Sequence, residues 1–219
     1  MPDFRIRLED REPVHLAGVR FVVIPSAHGR GRAFSERVRR LLEELATQLA
    51  PEPVGDGLVR DRHGHPVAEL RLADGTPLAL EVLRRGFAVA DPLVGSVAFD
   101  RYLEAEAEAR AKRRGLWGLG LVGPHPASQV ASRPMRYAVV EGVPRQLTCR
   151  RWFCYLNFGA DVRRDFTLRI PRDRLRRWRQ RGVRPEAWVG RPLRVRGVIL
   201  DAGGPMIELA DPAQVERLP

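Results

Sequence analysis

The chain has 219 residues, with 38 Lys plus Arg against 27 Asp plus Glu and a formal net charge of +11. Its 44% hydrophobic and 30% charged content excludes a disordered or collagen-like chain, and its length suits one large domain or two small ones. The longest apolar runs, such as Phe21 to Pro25, fall far short of the ~18 residues of a membrane-spanning helix.

The opening Met1-Pro2-Asp3-Phe4-Arg5 lacks the apolar core of an export signal, which leads to the expectation of a cytoplasmic protein. Phe4, Ile6 and Leu8 alternate with Arg5, Arg7 and Glu9, the period of a half-buried strand. After a break at Asp10-Arg11-Glu12-Pro13, the run Val14 to Val19 and then Phe21 to Ile24 resume strand character, and Ser26 to Arg32 reads as a Gly-rich loop. Phe34, Val38, Leu41, Leu42, Leu45 and Leu49 recur at three- and four-residue spacing, which predicts an amphipathic helix ended by Pro51 and Pro53. Residues 58–73 read as a hairpin turning at Asp61 to His65, and Asp74-Gly75 as a tight turn. Thr76-Pro77 gives an N-cap and first helical position, and Gly86 a helix stop. A last helix is predicted from Phe99 to Arg114, closed by Gly115.

Gly118 to Pro134 is rich in Gly, Pro, Ser and Ala, and the charge changes there. Residues 1–125 hold 19 basic and 18 acidic residues, whereas residues 126–219 hold 19 and 9, a net of +10. Lys112 is the only lysine, a bias that a high-GC genome supplies, but codon bias does not separate two halves of one chain. A basic half points to an anionic partner. Beyond the break, strands are predicted at Met135–Val140, Trp152–Phe158 and Phe166–Ile170. A basic helix, Pro171 to Gln180, and strands at Leu193–Leu200 and Met206–Leu209 follow. Three strands, a helix and two strands is the order of the five-stranded oligonucleotide-binding (OB) barrel. Cys149 and Cys154 would bridge if they face each other across a hairpin. Two reduced thiols in a core strand is the preferred reading for a chain with no visible export signal.

Four motifs stand in order in the N-terminal part: Asp61-Arg62-His63-Gly64-His65, Leu72-Ala73-Asp74-Gly75-Thr76, Leu83-Arg84-Arg85-Gly86-Phe87-Ala88, and Glu106-Ala107-x-Ala109 leading to Gly115-Leu116-Trp117. Together they make residues 4–118 resemble the thermonuclease (staphylococcal nuclease-like) family. The resemblance implies an OB-type barrel with three helices that cuts DNA and RNA. Such enzymes use one calcium ion, two metal-binding aspartates, a glutamate general base and two phosphate-clamping arginines. Position by position, the first clamp arginine falls on His15, one metal aspartate on Arg20 and the general base on Val23. The turn that ends in the second clamp arginine ends here at His65. The other metal aspartate falls near Phe4, and the family's first strand is missing, which exposes an edge for residues further along or a protein partner to fill. Arg20 replaces an anion by a cation, Val23 cannot take a proton, and neutral histidine lacks arginine's forked, permanently charged donors. The C-terminal motifs are Tyr155-Leu156-Asn157-Phe158-Gly159, Asp165-Phe166-Thr167, Gly190-x-x-Leu193-x-Val195-x-Gly197 and Gly204-Pro205-Met206-Ile207-Glu208-Leu209. They are similar to an OB-like domain appended to some bacterial thermonuclease-like proteins.

The expected architecture is mainly β with helices: two OB-type barrels, the first nuclease-like with about three helices, the second five-stranded with one helix. The boundaries are a degenerate nuclease-like domain at 1–118, a linker at 119–134 and a basic OB-like domain at 135–219. The expected function is non-catalytic binding of nucleic acid, single strands favoured, without cofactor. The contact residues are Arg150, Arg151, Tyr155, Asn157, Phe158, Arg163, Arg164, Arg169, Arg172, Arg174 and Arg177, since arginine pairs with phosphate and stacks on bases. Two further readings are a scaffold using the open edge and a divergent nuclease using His15 and His65, the one case in which calcium is expected. Asp61, His63 and His65 offer zinc or copper ligands, with His15 or His28 possible neighbours. With no third ligand at fixed spacing, the expectation is a plain hairpin turn without metal.

Overall fold

A computed structural model describes residues 4–7, 12–23, 29–49, 52–53, 59–61, 64–94, 99–120, 122–130, 136–161 and 163–219. The architecture mixes sheet and helix, and the chain divides into two units, Met1–Leu121 and Val122–Pro219.

In the first unit the strands are short. β1 (His15–Leu16) and β2 (Val19–Arg20) are separated by a turn at Ala17-Gly18, where Gly18 has φ 76°. The sequence reads as one strand because its apolar residues are continuous, yet the turn sends the two halves to different partners. β1 lies parallel to β5 (Pro66–Ala68), while β2 lies antiparallel to β7 (Val89–Ala90). Ahead of them Phe4 and Ile6 are buried and Arg7 is exposed, as the alternation predicts, although Ile6 joins Val14 only as an isolated bridge. Residues 21–23 carry no strand, and Ile24 to His28 lie outside the described residues. α1 (Gly29–Leu49) begins inside the segment read as a Gly-rich loop, and its predicted stripe of Phe34, Val38, Leu41, Leu42 and Leu45 is buried. Pro51 lies outside the described residues. β3 (Glu52–Pro53) pairs with β6 (Leu70–Arg71), and β4 (Val59–Arg60) forms the predicted hairpin with β5.

The turn at Asp74-Gly75 is present, with Asp74 Oδ1 accepting the Thr76 N–H at 2.8 Å. Pro77, not Thr76, is the N-cap of α2 (Leu78–Arg84), whose Leu78, Ala79, Leu80, Val82 and Leu83 are all buried. α3 (Phe99–Ala111) packs on it and buries Tyr102, Ala105, Glu106 and Ala109. α4 (Leu116–Leu119) then turns Trp117 inward, under the Arg110 guanidinium at 5.6 Å. The ends of α2 and α3 meet at two glycines. Leu116 N–H donates to the Gly86 carbonyl at 2.8 Å, and a Cβ on Gly115 would lie 2.2 Å from that same oxygen. Gly115 also sits at φ 50°. Gly115→Ala is therefore expected to cost on the order of 1–3 kcal/mol from backbone strain alone, before the clash. A thermal or urea unfolding comparison with wild type checks this.

The second unit is an eight-stranded mixed sheet: β8 (His125–Pro126), β9 (Arg136–Gly142), β10 (Gln146–Cys149), β11 (Phe153–Asn157), β12 (Thr167–Pro171), β13 (Leu193–Asp201), β14 (Pro205–Glu208) and β15 (Val215–Arg217). Along the sheet the order is β10-β11-β12-β14-β13-β9-β8, with β15 also on β13. β9, β11, β12, β13 and β14 are the five strands read from sequence. Pairing across the sheet adds β8, β10 and β15, whose own residues carry no strand period. Residues 122–130, read as linker, belong to this unit: Val122 is buried and its carbonyl accepts the Val139 N–H at 2.8 Å. α5 (Arg172–Gln180) buries Leu175 and Trp178 against a core that includes Ala138, Val140, Leu156, Phe166, Leu168, Ile170, Val195 and Ile207.

Cys149 and Cys154 form a disulfide, against the reading of reduced thiols. The β10–β11 register sets the two directly opposite, with Cα atoms 4.0 Å apart, and only pairing reveals that.

Candidate functional site

The nuclease-like positions come first. Arg20 at the end of β2 faces Asp91, the residue after β7, and the two form an ion pair at 2.5 Å. Asp91 is only 1% exposed, and its other oxygen accepts the Leu93 N–H at 3.0 Å. A buried carboxylate thus has its countercharge supplied by a guanidinium. Val23 is exposed and offers no proton acceptor. Among the buried acids of this unit, Glu106 accepts the Ala90 N–H at 2.7 Å and pairs with Arg110 at 3.4 Å, a role in holding α3 to β7.

His15 and His65, the two positions of the expected clamp arginines, come together, with ring centroids 5.4 Å apart. The β1–β5 ladder aligns His15 with Val67, so His15 lands beside the turn that precedes β5. In that turn the Asp61 N–H donates to the His65 carbonyl at 2.9 Å, and Asp61 Oδ1 accepts the His65 N–H at 2.9 Å. Asp61 Oδ2 lies 3.5 Å from His65 Nδ1. His15, Asp61 and His65 are each half-buried, with one ligand atom apiece all within 4.8 Å of one another. The third neighbour that spacing in the turn alone does not supply comes from a distant strand. His63 and His28 lie outside the described residues.

On the second unit the arginines separate into two groups. Arg169 pairs with Glu208 at 2.7 Å and lies over the Phe153 ring at 4.8 Å. Arg174 pairs with Glu208 at 3.3 Å, Arg177 with Asp173 at 2.9 Å, and Arg194 with Glu141 at 2.7 Å. Arg179 pairs with Glu186, and Arg196, fully buried, pairs with Glu216. Burial acts upward on the Asp173 carboxyl, but hydrogen bonds from the Arg174 N–H and the Arg177 guanidinium hold it below the ordinary carboxylate range. In contrast, Arg150, Arg151, Arg163, Arg164 and Arg172 make no ion pair among the described residues. The first two sit on the turn closed by the Cys149–Cys154 bridge, with Trp152, which is 65% exposed and lies 4.7 Å from the Arg151 guanidinium. Arg172 backs this turn: its N–H donates to the Trp152 carbonyl at 3.0 Å and its side chain to the Arg150 carbonyl at 3.4 Å.

Two expected contact residues leave this surface. Asn157 is 8% exposed, and the Thr167 hydroxyl donates to its Oδ1 at 3.3 Å. Phe158 is half-buried against Phe166, with centroids 5.2 Å apart. Arg169, Arg174 and Arg177 spend charge on neighbouring carboxylates. Tyr155 stays half-buried on the outer face, beside Phe153 at 6.2 Å and opposite Arg169 in register. Trp152, next to Arg150 and Arg151 in the sequence, and Phe153 stand outside the expected set of contact residues. The signal was the bracketing of Arg-Arg-Trp-Phe by two cysteines.

Residues 14–118 match the family model described as staphylococcal nuclease homologue. A probable endonuclease, LCL3, from Schizophyllum commune (strain H4-8 / FGSC 9210) is 31% identical over 111 residues, covering 44% of this chain and 38% of the relative. The chain thus spans well under half the length of the curated relative it matches. Residues 14–118, just under half of the chain, are thus similar in sequence to the staphylococcal nuclease homologues.

Proposed function

We propose that this chain binds single-stranded nucleic acid through its second unit, and that its nuclease-like unit does not cut by the residue set of its family. The observation that carries the reading is the turn of Arg150, Arg151 and Trp152. An exposed indole and cations without ion-pair partners among the described residues stand together there, on an outer face continued by Phe153, Tyr155 and Arg172. Bases stack on aromatic and guanidinium planes while guanidinium forks take phosphate oxygens. The reading without cutting draws on Arg20, which is matched to Asp91, and on Val23, which cannot act as a base.

A fluorescence-anisotropy titration of a labelled single strand across a salt series tests this. Log affinity falls with log salt, and replacing Arg150, Arg151 and Arg172 together by alanine lowers the slope by about 2, at ~0.7 per phosphate. Trp152→Ala costs roughly 1–3 kcal/mol of binding with little change in slope. Absence of binding at low salt would overturn the proposal. With calcium, magnesium or manganese the strand stays intact. Cleavage that disappears in His65→Ala would favour the divergent nuclease instead.

A further inference from the structure

We propose that His15, Asp61 and His65 form a binding site for a divalent transition-metal ion of the zinc class. Two imidazoles and one carboxylate are the donor set such ions take, and imidazole disfavours calcium and magnesium, which prefer oxygen ligands. The distances suit the ion. Ligands about 2.0–2.1 Å from zinc at a tetrahedral angle stand roughly 3.3–3.4 Å apart. His65 Nδ1 and Asp61 Oδ2 stand 3.5 Å apart, and all three donors fall within 4.8 Å. Small side-chain rotations close the rest.

The surroundings orient the donors. Asp61 Oδ1 accepts the His65 N–H at 2.9 Å, the kind of outer hydrogen bond that orients a metal ligand. The Arg60 guanidinium donates to the Gly64 carbonyl at 2.6 Å within the same turn, and its charge is met by Glu12 at 3.2 Å. The β1–β5 ladder fixes His15 from the other side. Three protein ligands leave one tetrahedral position for water or for an anionic oxygen such as that of a phosphate, the pattern of an open zinc site. A simple His–Asp contact beside an edge-on pair of imidazoles is the competing account of the same geometry.

Tag-free full-length protein, stripped with chelator and dialysed, is titrated with zinc by calorimetry, and separately with cobalt followed by visible absorption. The expected results are one zinc per chain and the intense spectrum of four-coordinate cobalt. His15→Gln, His65→Gln and Asp61→Asn, the last keeping the Oδ1 acceptor, each weaken zinc binding at least about tenfold while circular dichroism stays that of wild type. Lack of saturable one-to-one binding by the folded protein would overturn the proposal. So would undiminished binding in folded His15→Gln, or the weak spectrum of six-coordinate cobalt. The readout is metal on protein alone, so it is independent of nucleic-acid binding by the second unit.

Discussion

Arg20→Met is expected to destabilise the first unit by about 3–5 kcal/mol, the cost of leaving a buried charge without its partner. Asp91 is 1% exposed, and apart from the Arg20 pair its carboxylate takes the Leu93 N–H. The methionine fills much of the volume but cannot neutralise the acid. Asp91 is then left buried without its countercharge. Arg20→Asp, which restores the residue type expected from the nuclease resemblance, sets two carboxylates together and is expected to be worse than methionine. Urea unfolding followed by circular dichroism measures both. A loss below about 0.5 kcal/mol for Arg20→Met, the range of an ordinary surface change, would show that the pair does not anchor β2 to β7.

Trp178→Ala is the second large effect, with an expected loss of about 3–5 kcal/mol in the second unit. The indole is 4% exposed and, with Leu175, fastens α5 to the sheet. α5 carries Arg172, which holds the Trp152 carbonyl, so loosening the helix also loosens the turn on which the binding proposal rests. Arg176→Ala on the same helix is the control. Its side chain is exposed and makes no ion pair among the described residues, and its expected change in stability stays within ~0.5 kcal/mol. Urea unfolding checks stability, and the anisotropy titration checks affinity. Equal stability of the two variants would contradict the role given to Trp178.

Local chemistry made part of this molecule legible in advance. α1 and α5 follow from apolar spacing, and α2 stops at Gly86, at φ 70°, as read; α3 instead ends at Ala111, with Arg113 at φ 51°, short of the predicted stop at Gly115. What failed depended on contacts between distant segments. The two-residue strands β1 and β2 differ only in which partner each meets, and β8 and β15 exist because β9 and β13 offer edges to pair with. For the arginines, sequence shows the charge but not who neutralises it. Glu208 takes Arg169 and Arg174 from elements far away in the chain, while Arg150 and Arg151 keep theirs. His15 joins Asp61 and His65 for the same reason, since a parallel ladder aligns residues that no local spacing relates.

The Cys149–Cys154 bridge has a consequence for binding rather than for folding. It closes a loop with a sequence separation of 5 that the β10–β11 ladder already ties, and short loops gain least from a cross-link. What the bridge removes is conformational entropy at Arg150, Arg151 and Trp152. A flexible loop loses that freedom when it meets its ligand, and the loss subtracts from affinity. Here it is lost during folding, so the turn is preorganised. Disulfides persist where thiols are oxidised, so under the proposed function the redox condition of the compartment sets how much affinity this turn can deliver.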